Sequence, residues 1–150
     1  NSDFPIFDDI QKFVVDRGKA AGAGDQIGTV LYNRGMYNAM LITEAARTAQ
    51  AIAGKSNISQ ADMIKGFEAL EMTEEKMAAL GLPGFGPSFS VSCENHGGDG
   101  MVAVAQWDAG AGKWSIVSDF QASDMSVIQP LIDADSGAFA SENNLSPNCN

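Results

Sequence analysis

Long strand-like runs occur in one place in this chain, Met101–Trp107 and Trp114–Phe120. The segment Asp108-Ala109-Gly110-Ala111-Gly112-Lys113 between them reads as a hairpin loop. Elsewhere the periodicity is mostly helical. Phe4, Phe7, Ile10, Phe13 and Val14 recur at spacings of three and four, which predicts a helix over Phe4–Val15. Pro5 suits its first turn and Gly18 its stop. Lys19–Gly28 reads as a loop rich in Ala and Gly, and Ile27–Leu31 as a short strand. A long helix is expected over Met36–Ala53, with Met36, Met40, Leu41, Ala45, Thr48 and Ile52 on its buried side and Gly54 at its end. Ser59 is a side-chain cap for a helix reaching Leu70, and Thr73 for a short one over Glu74–Leu80. Met125–Asn143 completes the pattern as a helix with Pro130 near its start. An α/β domain needs a larger sheet than this for its helices to cover. The pattern therefore predicts either a mostly helical fold or a piece of a fold whose other strands lie elsewhere.

Charge narrows the partners. Nine Lys and Arg against nineteen Asp and Glu leave a net charge of −10. Phosphate backbones repel such a surface, and no basic stripe offsets it, so no nucleic-acid partner is expected. Anionic membrane surfaces are disfavoured for the same reason. No apolar run approaches the roughly 20 residues that span a bilayer. The chain is 45% hydrophobic and 19% charged, which is globular rather than disordered usage. Its start, Asn1-Ser2-Asp3-Phe4, has neither an initiator Met nor a signal peptide, so the chain is expected to be processed, trimmed or cut from something longer.

The two cysteines, Cys93 and Cys149, are too few for a disulfide scaffold or a zinc site. Two unrelated thiols is the simplest reading. Their settings argue for pairing: Cys93 sits in the polar stretch Ser92–His96, and Cys149 is the penultimate residue. Free cysteines are usually buried. A bond would close a loop of about 57 residues, worth roughly 4 kcal/mol in the chain-entropy view. It would also imply an oxidising compartment.

No catalytic constellation emerges. Gly22-x-Gly24 with Gly28 follows a helix rather than a strand, unlike a dinucleotide loop. Asn95-His96-Gly97-Gly98-Asp99-Gly100 has a calcium-loop flavour, but the last ligand position holds Gln106 instead of Glu. Tight-turn chemistry explains its glycines. His96 is the single histidine, with nothing to set a nucleophile beside it. Gly86-Pro87-Ser88-Phe89-Ser90 lacks the closing Gly of a nucleophile elbow. The most polar-aromatic cluster, Tyr32 to Asn38, falls at an expected strand-to-helix junction. Ligands bind at such junctions in α/β folds. Tyr32, Asn33 and Tyr37 are therefore candidate ligand-binding residues, against the plainer reading that the two tyrosines pack with wet hydroxyls. No catalytic residue, metal or cofactor is expected.

The string Val30-Leu31-Tyr32-Asn33-Arg34-Gly35-Met36-Tyr37-Asn38-Ala39-Met40, with Glu44-Ala45 and Arg47-Thr48-Ala49, resembles periplasmic solute-binding proteins of the branched-chain amino acid type. The resemblance continues through Gly81–Phe85, Ser92–His96, Val104–Asp108, Lys113-Trp114 and the tail Ser146-Pro147-Asn148-Cys149. It implies an α/β class and part of the type I periplasmic-binding-protein fold with an incomplete sheet. Residues 1–100 would be the second half of the N-terminal lobe. Residues 101–150 would be the third crossing, the hairpin and the C-terminal helix of the other lobe. The implied function is part of a periplasmic receptor that closes on an amino acid or small amide and delivers it to an ABC permease. Such a piece would bind solute poorly and would self-associate. The alternative is a self-contained ligand-sensing or interaction domain with no transport role. Some members carry a disulfide that the Cys93–Cys149 pair resembles.

Overall fold

The computed structural model describes residues 4–22, 24–98, 100–146 and 149. Two compact units divide the chain, Asn1–Ser92 and Cys93–Asn150. The division at 100/101 was what the family resemblance implied.

The first unit opens with helix α1 (Pro5–Ile10), which continues as a π-helical turn over Gln11–Val15. Pro5 takes the first turn as expected, where its missing N–H costs nothing. Helix α2 (Val30–Ala53) begins at Val30, not at Met36. The short strand expected over Ile27–Leu31 does not form. Val30 and Leu31 are each 77% exposed in the first helical turn, and among the described residues no strand pairs with them. A five-residue apolar-leaning stretch is a weak signal, and the strand state needs a partner that the helix does not. Gly54 closes α2 at φ +64°, a left-handed conformation that glycine adopts without Cβ strain.

Helix α3 (Gln60–Glu68) starts from a complete capping box. The Ser59 hydroxyl accepts from the Asp62 N–H at 3.2 Å, and an Asp62 oxygen accepts from the Ser59 N–H at 2.8 Å. Lys55 Nζ lies 2.8 Å from the same carboxylate oxygen. The Lys55 ammonium, then the Ser59 donors, hold the Asp62 carboxyl far below the usual carboxylate range. A carboxyl depressed by folding stabilises above its unfolded pKa of about 4, and that contribution is lost as pH falls toward the folded value. The first turn of α3 is therefore expected to fray as pH drops below about 4. Amide exchange at Asp62 and Met63 measures this, and Asp62→Asn should abolish the pH dependence.

Strand β1 (Glu71–Met72) pairs antiparallel with β2 (Phe89–Ser90). Between them lies α4 (Glu74–Ala79), capped by the Thr73 hydroxyl accepting from the Lys76 N–H. The core gathers Met40, Leu70, Met72, Met77 and Leu82 under the rings of Phe4, Tyr37 and Phe85. The buried side of α2 is Met40, Glu44, Ala45 and Ala49, whereas Ile52 is 54% exposed. Its small residues sit where α3 crosses: a Cβ on Gly66 would fall 2.2 Å from the Ala45 carbonyl oxygen and 2.7 Å from Ala49 Cβ.

The second unit holds the β-hairpin, but in two pieces. Strand β3 (Met101–Val102) pairs with β6 (Gln121–Ala122), and β4 (Ala105–Asp108) pairs with β5 (Lys113–Ile116). Residues 103–104 on one strand face 117–120 on the other, so the ladder cannot run through. The Ser118 hydroxyl fills the gap by accepting from the Val104 N–H at 2.8 Å. At the turn, Asp108 Oδ1 accepts from the Gly110 and Ala111 N–H groups. Helix α5 (Met125–Glu142) follows, capped by Asp124, with Pro130 inside it.

These elements correct the expected fold class. An α/β fold, and a part of the type I periplasmic-binding-protein fold with it, rests on a parallel sheet with helices on its faces. Among the described residues every strand pair is antiparallel and every sheet has two strands. The architecture is helices with three short antiparallel pairs. No helix of the described residues is long and apolar enough to cross a membrane.

Candidate functional site

The face of α2 that looks away from α3 repeats Tyr32, Met36, Ala39, Thr43 and Arg47 at spacings of three and four. The small Ala39 and Gly35 leave room there. Ile6 and Ile10 of α1, with Val14 beyond them, supply the opposite apolar wall, and Leu80 closes the base. The result is an open groove of about 610 Å³.

Its polar end is a charge trio. Glu44 is 5% exposed. One of its oxygens meets Arg47 Nη1 at 2.5 Å and the other meets Lys76 Nζ, from α4, at 3.3 Å. Lys76 also donates to the Glu71 carbonyl at 3.1 Å. Two cations on one carboxylate leave this corner with one net positive charge. Arg47 keeps 64% of its side chain exposed at the groove's edge. The buried acid is engaged by two cations, and the groove offers apolar wall, a phenol and a guanidinium. That is the make-up of a binding surface.

Glu44→Gln keeps the shape of the side chain and removes its charge. It should destabilise the fold by about 2 kcal/mol, the scale of hydrogen bonds to charged groups. Both stranded cations still reach water, so the cost stays below the roughly 3–5 kcal/mol of a fully buried broken pair. Urea unfolding measures it.

The three candidate ligand residues do not converge. Tyr32 lines the groove. Asn33 turns back, and its amide donates to the Gly28 carbonyl at 3.2 Å, tying the preceding loop to the helix. Tyr37 stacks at a tilt on Phe85 with centroids 5.1 Å apart, and burial pushes its phenol pKa up. All three lie in the first turns of a helix, so the expected strand-to-helix junction is absent. Glu44 and Arg47 were the missed residues. Their i, i+3 spacing of opposite charges was a readable signal, whereas Lys76 as the third member was not.

A second hollow, of about 600 Å³, lies in the second unit between the turn at Glu94–Gly98 and the Met125, Ile128 and Ile132 side of α5. His96 lines it. Asn95 donates to the Gly98 carbonyl at 3.0 Å, which is turn chemistry. Asp99, which the calcium-loop reading needed, lies outside the described residues, as do Asn1–Asp3 and the Pro147-Asn148 pair of the tail. Cys93 and Cys149 are joined as a disulfide with their Cα atoms 5.4 Å apart, within the usual range.

No protein-family model and no curated protein matches this chain. A solved structure is similar to it throughout: a crystal structure described as an ABC transporter permease from the Pseudomonas fluorescens group, at 33% identity and a TM-score of 0.86. The match covers 100% of this chain and 36% of that one, so the chain spans about a third of the length of the structure it resembles. This overturns the resemblance to branched-chain-type periplasmic solute-binding proteins, because the structural likeness is to a chain described as a permease. The receptor role that came with that resemblance falls with it. The alternative of a self-contained sensing or interaction domain outside transport gains no support from the same finding.

Proposed function

We propose that this chain is a non-catalytic portion, lying outside the bilayer, of a protein that belongs to an ABC transporter system, and that it resides in the periplasm. One observation carries the reading: the likeness to a chain described as an ABC transporter permease extends over all of this sequence at 33% identity. A position outside the bilayer is supported by the lack, among the described residues, of any helix suited to cross it. The disulfide supports an oxidising compartment. The groove supports binding work over covalent chemistry, since Glu44 already serves two cations. The partners on this reading are other subunits of the transporter.

The test is crosslinking of the tagged native gene product in its own cells, followed by identification of the crosslinked subunits and of the cysteine state. Recovery of an ABC transporter ATP-binding or membrane subunit, with Cys93 and Cys149 oxidised, is the expected result. Recovery of free thiols in the cytosolic fraction with no transporter subunit overturns the proposal.

A further inference from the structure

The net charge of −10 is unevenly shared. Eight of the nine Lys and Arg fall in Asn1–Ser92 with eleven of the acids, a net of −3. Cys93–Asn150 holds one cation, Lys113, against eight acids, a net of −7. The same unit is where apolar side chains lie open. Every residue of α5 before Ala140 is exposed, Val127 at 60% and Leu131 at 64%.

These two features coincide on one face. Val127, Leu131, Asp135, Ala138 and Glu142 follow one another at spacings of four, four, three and four, which puts them in one stripe along α5. The stripe is apolar through its first half and acidic through its second, and no basic residue stands anywhere on the helix. A helix that buried this stripe against a plain apolar surface would strand two carboxylates, and unpaired buried charge is costly. Pairing with a second copy would set like charges against each other in a unit that already carries −7.

We propose that this stripe of α5 is a docking face for an amphipathic helix of a partner polypeptide, with apolar residues opposite Val127 and Leu131 and Lys or Arg opposite Asp135 and Glu142. Helix-on-helix seams of this kind seat an apolar stripe and choose their partner by flanking charge. The inference stands on the charge and exposure of this unit and is independent of the transporter reading.

The probe is a fluorescein-labelled synthetic helix of Leu and Lys, compared by anisotropy with the same peptide bearing Glu for Lys. The intact oxidised chain should bind the Leu/Lys peptide, less tightly as salt rises, and not the Leu/Glu one. Leu131→Glu should weaken binding at least tenfold. The pair Asp135→Lys and Glu142→Lys should do the same and admit the Leu/Glu peptide. Asp9→Lys with Asp25→Lys makes the same change in total charge elsewhere and should leave affinity within twofold. Equal affinity for both peptides, or no binding of either, overturns the proposal. Equal loss in the Asp9/Asp25 pair overturns it too, since binding would then follow bulk charge. Oligomers of the chain that Leu131→Glu dissolves would make a second copy the occupant and overturn it as well.

Discussion

Reducing the Cys93–Cys149 bond is expected to unfold the carboxy-terminal unit while α2 and α3 keep their helicity. Among the described residues of Cys93–Asn150 none is buried. The unit therefore draws little on the hydrophobic burial that normally offsets chain entropy. A hairpin of two four-residue strands is marginal in water. A lone 18-residue helix interrupted by proline is marginal too. What remains is the covalent closure of the segment from Cys93 to Cys149, a separation of 56 residues. Its loss should cost about 4 kcal/mol, most of it through the entropy regained by the open chain. Both tryptophans report on this unit, since Trp107 and Trp114 pair across the hairpin with centroids 5.6 Å apart. Their emission and near-ultraviolet dichroism, followed through urea with and without reductant, give the measurement. The variant Cys93→Ala with Cys149→Ala should behave as the reduced protein does. A shift of less than about 1 kcal/mol would mean that packing, not the bond, holds the unit together.

That bond was legible in the sequence because each cysteine stood where a free thiol is seldom found. The caps were legible for a similar reason: Ser59 and Thr73 are small oxygen-bearing residues just ahead of apolar periodicity, and both accept the amide the pattern calls for. Other features turn on what a segment meets in space. Ile27–Leu31 reads as a short strand, yet among the described residues no strand pairs with it, and Val30 and Leu31 join the first turn of a helix. Ile52 has the right period for burial, but the approach of α3 selects the small Ala45 and Ala49 instead. The long hairpin breaks because two residues face four across the ladder, which alternation along either strand does not reveal. The family reading failed in the same way. The leading string, Val30–Met40, is one stretch of helix, and a short helical string specifies a local face, not the assembly that the face joins. Of the three candidate ligand residues, Tyr32 lines the groove. The trio of Glu44, Arg47 and Lys76 was not legible, because Lys76 reaches it from another helix.

The tightest point in the fold is the crossing of α2 and α3, and Gly66→Ala should be among the most damaging single substitutions in the amino-terminal unit. By helix propensity alone the change should stabilise α3 by about 1 kcal/mol. Geometry reverses the sign. The added Cβ would sit 2.2 Å from the Ala45 carbonyl oxygen, 2.7 Å from Ala49 Cβ and 3.0 Å from the Ala49 amide nitrogen. Two of those atoms are backbone inside a 24-residue helix, so no rotamer change relieves them. The helices must separate, which opens the buried faces of Ala45 and Ala49, both fully enclosed now. Overpacking of this kind costs about 3 kcal/mol, net of the propensity gain. Adding Ala49→Gly removes the 2.7 Å contact but leaves the carbonyl contact, so it should recover less than half of the loss. Urea midpoints of the two variants, followed by helical dichroism, separate backbone collision from side-chain crowding. Full recovery in the double variant would assign the cost to the Ala49 methyl, and a stabilised Gly66→Ala would mean that the two helices lie farther apart than this crossing requires.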